Sequence, residues 1–311
     1  MKLPSEFFDP VRRERRDLQE EPAAAPGGPV LKPNYLLHAV LFVSTFVTTT
    51  LAGAFIAGVD PLEDFRLLAR GLPFSISLMA ILTAHEMGHY FASRRFGVMA
   101  TLPYFIPVPP LIFPSIGTFG AFIKMVPPIG SRSAILNIGL AGPAVGFVLA
   151  VLVTVVGLGY STTVAEKGVH GLNLGGSLIF AVLTRIVLGP VPEGMDVLLH
   201  PMAFAGWLGF FVTALNLIPI GQMDGGHIVY AVAGERRHRA VSLGLVPVLA
   251  VMGLFFWPGW LFWAVLASFL GVAHPPVRNP HIPLYADDRW KAAGALVLLV
   301  LTFVPVPFAV L

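Results

Sequence analysis

Residues 72–93 read LPFSISLMAILTAHEMGHYFAS, an apolar run that carries three ionisable side chains in its second half. A membrane-spanning helix needs about 20 predominantly apolar residues, so this run is long enough to cross a bilayer. A charged side chain within such a helix costs about 2.5–3.5 kcal/mol on insertion scales, and those that occur are usually functional. The stretch therefore predicts a spanning helix with a functional site.

The composition of the whole chain agrees with this interpretation. Of the 311 residues, 56% are hydrophobic and 12% are charged, and the mean hydropathy is +0.78. Soluble domains carry about 25% charged residues. This balance excludes a soluble globular enzyme, a disordered protein and a nucleic-acid-binding protein. The absence of Cys excludes disulfides, thiolate zinc sites and cysteine nucleophiles.

Seven apolar stretches along the chain predict an all-α polytopic membrane protein. They lie at about 35–58, 72–93, 134–158, 202–231, 241–257, 259–273 and 291–311. The fifth and sixth stretches are short, so we expect six or seven transmembrane helices. We expect a flexible cytosolic tail over 1–33 and a single integral-membrane domain over 34–311, with its functional core at about 72–231.

The basic residues predict the orientation. By the positive-inside rule, the side of the membrane that carries more Lys and Arg is cytosolic. Sixteen of the 20 basic residues fall on the side of the amino terminus, which we therefore expect in the cytosol: Lys2, Arg12, Arg13, Arg15, Arg16, Lys32, Arg94, Arg95, Lys124, Arg132, Arg236, Arg237, Arg239, Arg278, Arg289 and Lys291.

Two segments between the apolar stretches are unusual. Residues 101–130 are apolar but too rich in proline for a helix. Within them, residues 115–124 (SIGTFGAFIK) predict a β-hairpin that re-enters the membrane from the cytosolic side, where protein or a water-filled cavity must satisfy its backbone. Residues 159–200 predict an extracytosolic connection, whose apolar piece at 178–188 lies in the membrane interface.

The motif His85-Glu86-Met87-Gly88-His89 predicts a metal site. Residues four apart share one face of a helix, so the two imidazoles can bind one zinc ion. Glu86 is placed to take a proton from water held by that ion. An ion pair between Glu86 and Arg94 or Arg95 is the structural alternative, but eight or nine residues separate the partners by about 12–13 Å along the axis.

The fourth apolar stretch supplies the predicted third ligand. A catalytic zinc usually has three protein ligands, and without Cys the third must be His, Asp or Glu. Pro219 predicts a helix break, and the glycines around Asp224 permit an unwound segment. Asp224 is then an acid on non-helical backbone at membrane depth, which favours a ligand over an ordinary helix cap.

Two neighbouring polar residues have open roles. Asn216 either caps backbone groups freed by Pro219 or hydrogen-bonds the substrate backbone or the oxyanion. His227 either binds the intermediate, orients the Asp224 carboxylate from outside the ligand set, or is a hydrogen-bonded structural histidine. In the third apolar stretch, Gly139, Gly142 and Gly146 predict a small-residue face that packs closely against the two metal-bearing helices.

HEMGH on one span and N-x-x-P-x-x-x-x-D-G (216–225) on a later one resemble the site-2 protease family of intramembrane zinc metalloproteases, peptidase family M50. Residues 141–146 (AGPAVG) are similar to the signature of its third span. Residues Gly117, Thr118, Phe119 and Gly120 resemble its membrane-re-entrant β element, which contacts substrate. Residues 85–98 (HEMGHYFASRRFGV) and 117–123 (GTFGAFI) are most similar to the branch of the family shared by bacteria and plant plastids.

The resemblance implies one catalytic Zn²⁺ on His85, His89 and Asp224, with Glu86 as the base and Asn216 in contact with substrate. The implied function is regulated intramembrane proteolysis, the hydrolysis of a peptide bond in or near the transmembrane segment of a membrane protein. The partners are then that substrate and the lipid bilayer, without nucleic acid, and the regulatory partner is unknown. We expect a bacterial inner membrane.

Three alternatives remain open at this point. Intramembrane acids and broken helices also mark ion or solute transporters, although no internal repeat is visible in the sequence. A different class of membrane zinc protease would take its third ligand from a Glu on a later helix. A proteolytically inactive relative would act as a membrane binding protein.

Overall fold

The computed structural model describes residues 33–111, 115–126, 129–165 and 172–310. The tail expected over 1–33 lies, apart from its last residue, outside the described residues.

The described part of the chain is mostly helical. A 3₁₀ segment, Phe65–Gly71, leads directly into the second helix. The helices are α1 (Tyr35–Ile56), α2 (Leu72–Arg95), α3 (Arg132–Gly159), α4 (Leu178–Leu188), α5 (Pro201–Leu217), α6 (Asp224–Ala233), α7 (Glu235–Phe255), α8 (Gly259–Leu270) and α9 (Ala286–Thr302).

Four helical segments are long and apolar enough to cross a membrane, judged by length and composition. They are Tyr35–Ile56, Phe65–Arg95, Arg132–Gly159 and Glu235–Phe255. Helices α4, α5 and α8 are apolar but shorter. The protein is therefore a membrane protein with at least these four candidate spans in its described part.

The described residues also contain six short strands, which form three antiparallel pairs. One pair includes the segment predicted as a β-hairpin, and the other two pairs were not predicted. The strands are β1 (Tyr104–Pro107), β2 (Thr118–Phe122), β3 (Thr162–Ala165), β4 (Leu172–Leu174), β5 (Met195–Leu198) and β6 (Phe308–Val310). The pairs are β1–β2, β3–β5 and β4–β6. The segment 115–124 is thus one strand of a hairpin whose other strand comes earlier in the chain, with Tyr104 opposite Phe122.

The last helix is shorter than predicted. We expected an apolar span over 291–311, but α9 ends at Thr302. Pro305 and Pro307 follow and cannot donate the backbone hydrogen bonds that a helix needs. The chain then forms β6, which pairs with β4 and so ties the segment after α9 to the connection after α3.

Helix α3 lies at the centre of the helical bundle and packs against α2, α5, α6 and α9. Ser131 caps its amino terminus by accepting a hydrogen bond from the backbone N–H of Ala134. A hydrophobic core built around Phe74, Trp207 and Trp260 packs α2, α5 and α8 together. These contacts fix α2 and α6 against α3, which positions the candidate site.

Candidate metal centre

Helix α2 buries the three ionisable residues of the HEMGH motif. His85, Glu86 and His89 are exposed by only 4%, 5% and 6%. Because the two histidines are four residues apart, their rings project from the same face of the helix. Their Nε2 atoms lie 3.1 Å apart.

Asp224, on a different helix, meets the two histidines. Its Oδ2 lies 3.3 Å from Nε2 of His85, and its Oδ1 lies 3.2 Å from Nε2 of His89. Among the described residues, His85, His89 and Asp224 form a group that could hold a metal ion, because one ligand atom of each lies within 4.8 Å of the others. In a tetrahedral zinc site with bonds of about 2.0–2.1 Å, the ligand atoms are separated by about 3.3–3.4 Å. The observed separations fit one triangular face of such a site.

The hydrogen bond of His89 agrees with a metal-binding role. Its Nδ1 lies 2.8 Å from the backbone carbonyl of Ile138, which can only accept. The ring therefore donates from Nδ1, and Nε2 keeps the lone pair that a metal requires. The bond also fixes the orientation of the ring against α3.

A break between α5 and α6 brings Asp224 to the site. Helix α5 ends at Leu217, ahead of Pro219, and α6 begins at Asp224. Gly221, in the intervening loop, has a φ of +54°, which favours glycine. Asp224 is thus the first residue of a helix, whereas we expected it on an unwound stretch. Its carboxylate lies at the helix amino terminus, where negative charge is favourable.

The glycines of α3 allow close packing against the candidate ligands. A Cβ atom at Gly142 would collide with the ring of His89. A Cβ atom at Gly146 would lie 3.1 Å from the Cβ atom of His85. The small-residue face predicted from the sequence therefore lies against both imidazoles, and the backbone of α3 forms one wall of the site.

Glu86 points to a different neighbour from the histidines. Its carboxylate lies near the backbone N–H of Ile123, directly after β2. The ion pairs found among the described residues do not include one between Glu86 and Arg94 or Arg95. The acid therefore lies between the metal-ligand cluster and the β1–β2 hairpin.

Asn216 lies beside the candidate ligands. Its Nδ2 atom is 3.1 Å from Nε2 of His85. Of the two roles weighed from the sequence, this position favours one at the reaction centre over capping of the loop after Pro219. It places an N–H donor next to the atoms that a metal would join.

The four residues predicted to contact substrate differ in their surroundings. Gly117 packs against α1, where its carbonyl accepts a hydrogen bond of 2.7 Å from Thr48. Thr118 donates to the carbonyl of Ile106 in β1 at 2.9 Å. Phe119 is 65% exposed, and Gly120 is half-buried with a φ of +98°. The first two residues therefore hold the hairpin together, and the last two are available at its surface.

His227 lies one turn after Asp224 and has an unexpected partner. Its Nδ1 is 2.7 Å from Nε2 of His274, on the loop after α8. His274 lies 47 residues from His227, a separation that follows no ligand spacing. No signal in the sequence reveals this contact.

The family of this chain follows from its match to a family model. The model of peptidase family M50 matches residues 73–258, which is more than half of the chain. The chain belongs to peptidase family M50. The M50 match covers α2 to α7 and includes His85, His89 and Asp224.

Several M50-like plant proteins are similar to this chain. The protein named probable zinc metalloprotease EGY1, chloroplastic, of Arabidopsis thaliana is 32% identical over 252 residues, which is 76% of this chain and 43% of that protein. Probable zinc metalloprotease EGY2, chloroplastic, is 28% identical over 79% of this chain and 44% of the Arabidopsis thaliana protein. Probable zinc metalloprotease EGY2, chloroplastic, of Oryza sativa subsp. indica is 28% identical over 94% of this chain and 53% of that protein.

The chain therefore spans about half the length of these relatives. The comparison with solved structures gives no significant match.

Proposed function

We propose that the protein is a zinc metalloendopeptidase that hydrolyses a peptide bond in or near the transmembrane segment of a membrane protein. One observation carries the proposal: the ligand atoms of His85, His89 and Asp224 lie 3.1–3.3 Å apart among membrane-length helices. This geometry suits a divalent cation with a fourth position open. Membership of family M50 and the names of the relatives support the same activity.

The residues around the centre have separate roles in the proposed reaction. A zinc ion supplies Lewis-acid polarisation of the scissile carbonyl and lowers the pKa of water to about 7. Glu86 accepts a proton from the attacking water and passes it to the leaving nitrogen. Asn216 donates a hydrogen bond from its side-chain N–H to the oxyanion that develops on the carbonyl.

The hairpin supports a proposal for how substrate binds. Strand β2 pairs with β1 along one edge, and its other edge pairs with no strand among the described residues. Extended peptides add to such edges through backbone hydrogen bonds. Ile123 lies near Glu86, which brings this edge near the catalytic base. Substrates with helix-weakening residues near the cytosolic third of the membrane are then preferred, because they unwind more easily.

The finer topology is also a proposal. The shorter apolar helices α5 and α8 support a total of six or seven passes, with the β1–β2 hairpin re-entering the membrane from the cytosolic side. The excess of Lys and Arg on the side of the amino terminus supports a cytosolic amino terminus. A bacterial inner membrane is our proposed location, while the relatives in plants are named as chloroplastic.

The decisive experiment uses the purified full chain in lipid vesicles with a model transmembrane substrate. The zinc-loaded protein is expected to cleave it. Glu86→Gln keeps the shape of the side chain but removes the base, so cleavage is expected to fall by about 100- to 10,000-fold with zinc retained. Asp224→Asn is expected to lower the zinc content.

Glu63→Gln is the matched control, because Glu63 is exposed and lies before α2, away from the cluster. It is expected to cleave at the rate of the unmodified protein. Cleavage that survives in Glu86→Gln would contradict the role of the base. Unchanged zinc content in Asp224→Asn would contradict the third ligand.

A further inference from the structure

The pair formed by His227 and His274 lies outside the three candidate ligands and outside the roles described above. Both side chains are buried, with exposures of 6% and 5%. Nδ1 of His227 and Nε2 of His274 are 2.7 Å apart, and the rings meet edge to face. A contact this short between two imidazoles requires one ring to donate and the other to accept.

The next neighbour decides which ring donates. Nδ1 of His274 lies 2.6 Å from the backbone carbonyl of Pro275, which can only accept. His274 therefore carries its hydrogen on Nδ1, and its Nε2 is an acceptor. It follows that His227 donates from Nδ1, so a neutral His227 has a bare Nε2 with a lone pair.

The surroundings keep His274 neutral and in place. Burial lowers the pKa of His274 to about 4, so the ring is uncharged at neutral pH. The ring stacks on Tyr230 of α6, with 4.1 Å between the centroids. The hydroxyl of Tyr230 also accepts a hydrogen bond from the backbone N–H of Val277 at 3.2 Å. The loop is therefore attached to the helix that begins with Asp224.

His227, one helical turn after Asp224, and His274 line a small cavity. Its volume is about 50 Å³, and its other lining residues include Met125, which follows β2, and Gln222, which precedes α6. Such a space has room for a few water molecules but not for a peptide segment. Among the described residues, no hydrogen-bond partner of Nε2 of His227 is found.

We propose that His274 is a positioning residue that fixes His227 with a bare Nε2, and that this nitrogen accepts a hydrogen bond from water held in the cavity for the hydrolytic reaction. The inference rests on the proposed function. It goes further by giving the cavity an occupant and His227 a direction of hydrogen bonding. A nitrogen without hydrogen cannot donate to an oxyanion, which leaves that task to Asn216.

The first test observes the tautomer directly and needs no activity. The full chain is labelled with ¹⁵N-histidine, reconstituted in lipid, and studied by NMR, with His227→Asn used to assign the signal. The signal of His227 is expected to show a protonated Nδ1 and a bare Nε2. In His274→Ala, this fixed state is expected to be lost. A protonated Nε2 in the unmodified protein would overturn the proposal.

The second test compares variants of His274 in the cleavage assay. His274→Ala is expected to lower kcat by about 10- to 100-fold, the cost of misplacing a reacting group, with KM nearly unchanged. His274→Gln is expected to recover most of that loss, because its amide oxygen can accept the hydrogen bond from His227. His281→Ala changes another histidine of the same loop and is expected to have no effect.

Two results would overturn the proposal. If His274→Gln is as impaired as His274→Ala, the acceptor does not matter and the ring has a merely structural role. If KM rises while kcat is unchanged, the cavity binds substrate and not water. Zinc content is measured for each variant. If the zinc-loaded unmodified protein cleaves no substrate, the proposed function fails, and the NMR result still decides whether His274 fixes the tautomer.

Discussion

The hydrogen atom that Gly142 carries in place of a side chain sets how close α3 can come to the metal-ligand cluster. The ring of His89 occupies the position that a Cβ atom would take. The same ring donates to the carbonyl of Ile138, one turn earlier on α3. Packing and hydrogen bonding therefore act on one imidazole from the same helix, and they leave its Nε2 directed toward Asp224.

Gly142→Ala is expected to weaken zinc binding. The added methyl group must displace the ring of His89 or separate the two helices, and either change disturbs the 3.2 Å approach to Asp224. Disturbing the partners that orient a ligand typically costs about 10- to 100-fold in metal affinity. Competition with a chromophoric chelator measures the effect.

Gly244→Ala is the control for this prediction. It lies within α7, where a Cβ atom would meet no other atom within 4 Å. Alanine also has the higher helix propensity, so this variant is expected to bind zinc normally and to be no less stable. Equal zinc affinity in both variants would contradict the packing argument.

At the scale of single residues, the local chemistry of the site can be predicted from the sequence. The spacing of His85 and His89 places both rings on one face of a helix. Pro219 and the glycines near Asp224 disfavour a continuous helix, which indicates that this acid has a role other than that of an ordinary helix residue. His274 is different, because its contact with His227 depends on how the loop after α8 folds back on α6. No local spacing encodes such a contact.

The loop between α5 and α6 is held by α7. Ser242 accepts a hydrogen bond from the backbone N–H of Gly221 at 3.1 Å. His238 donates from Nε2 to the carbonyl of the same glycine at 3.0 Å. Both side chains are fully buried. The backbone N–H and carbonyl of Gly221 are thus satisfied by a neighbouring helix, as the interior of a membrane protein requires.

Ser242→Ala is expected to loosen this loop. The backbone N–H of Gly221 would lose its partner while buried, which costs about 1–3 kcal/mol. Because Asp224 follows three residues later, zinc affinity is expected to fall together with the unfolding temperature. Both quantities can be measured on the purified protein in detergent.

Ser268→Ala serves as the comparison, since the Ser268 hydroxyl donates to the carbonyl of Ala264 in its own helix and, within the described part of the chain, to no other group. It is expected to bind zinc as the unmodified protein does. A Ser242→Ala protein with full zinc affinity would show that the loop does not depend on this bond.

Element boundaries were predicted with mixed success. The break at Pro219 follows from proline chemistry. The segment 178–188 was predicted only as an apolar piece in the membrane interface, and the structure shows that it forms helix α4. The partner of β2 was not predicted, because strand pairing depends on residues 11 or more positions away that carry no complementary signal. The end of α9 was missed because apolar composition outweighed the two prolines after Thr302.

Across the whole molecule, a buried polar network joins α3 to α9. Asp288 is fully buried and accepts a hydrogen bond of 3.1 Å from Asn137. Lys291 donates to Asn137 at 2.8 Å and lies 3.3 Å from Asp288. The last helix is therefore attached to the central helix by charge as well as by apolar contact.

Asp288→Ala is expected to destabilise the protein. Removing one partner of a buried ion pair costs about 3–5 kcal/mol, and we expect the lower end of this range because Lys291 is 30% exposed. The unfolding midpoint in detergent measures the loss. Glu193→Ala, at an exposed site between α4 and β5, is expected to leave the midpoint unchanged. Equal midpoints in the two variants would show that the network contributes no stability.

Metal binding is expected to stabilise the whole molecule, because the three candidate ligands come from two helices that both pack against the central helix α3. A ligand present at 100 times its dissociation constant stabilises the native state by about 2.7 kcal/mol. Adding a chelator should therefore lower the unfolding temperature of the unmodified protein. The same chelator should have little effect on Asp224→Asn. A similar shift in both proteins would place the stabilising metal elsewhere.

The wall that α3 forms against the two imidazoles also bears on how an ion enters and leaves. The backbone of α3 fills the space on that side, so exchange of an ion must proceed from another side of the cluster. A small, uncharged chelator should therefore extract the ion faster than a large, charged one of equal affinity. The rate at which an ion leaves is then set by the packing around the cluster and not by the strength of coordination alone.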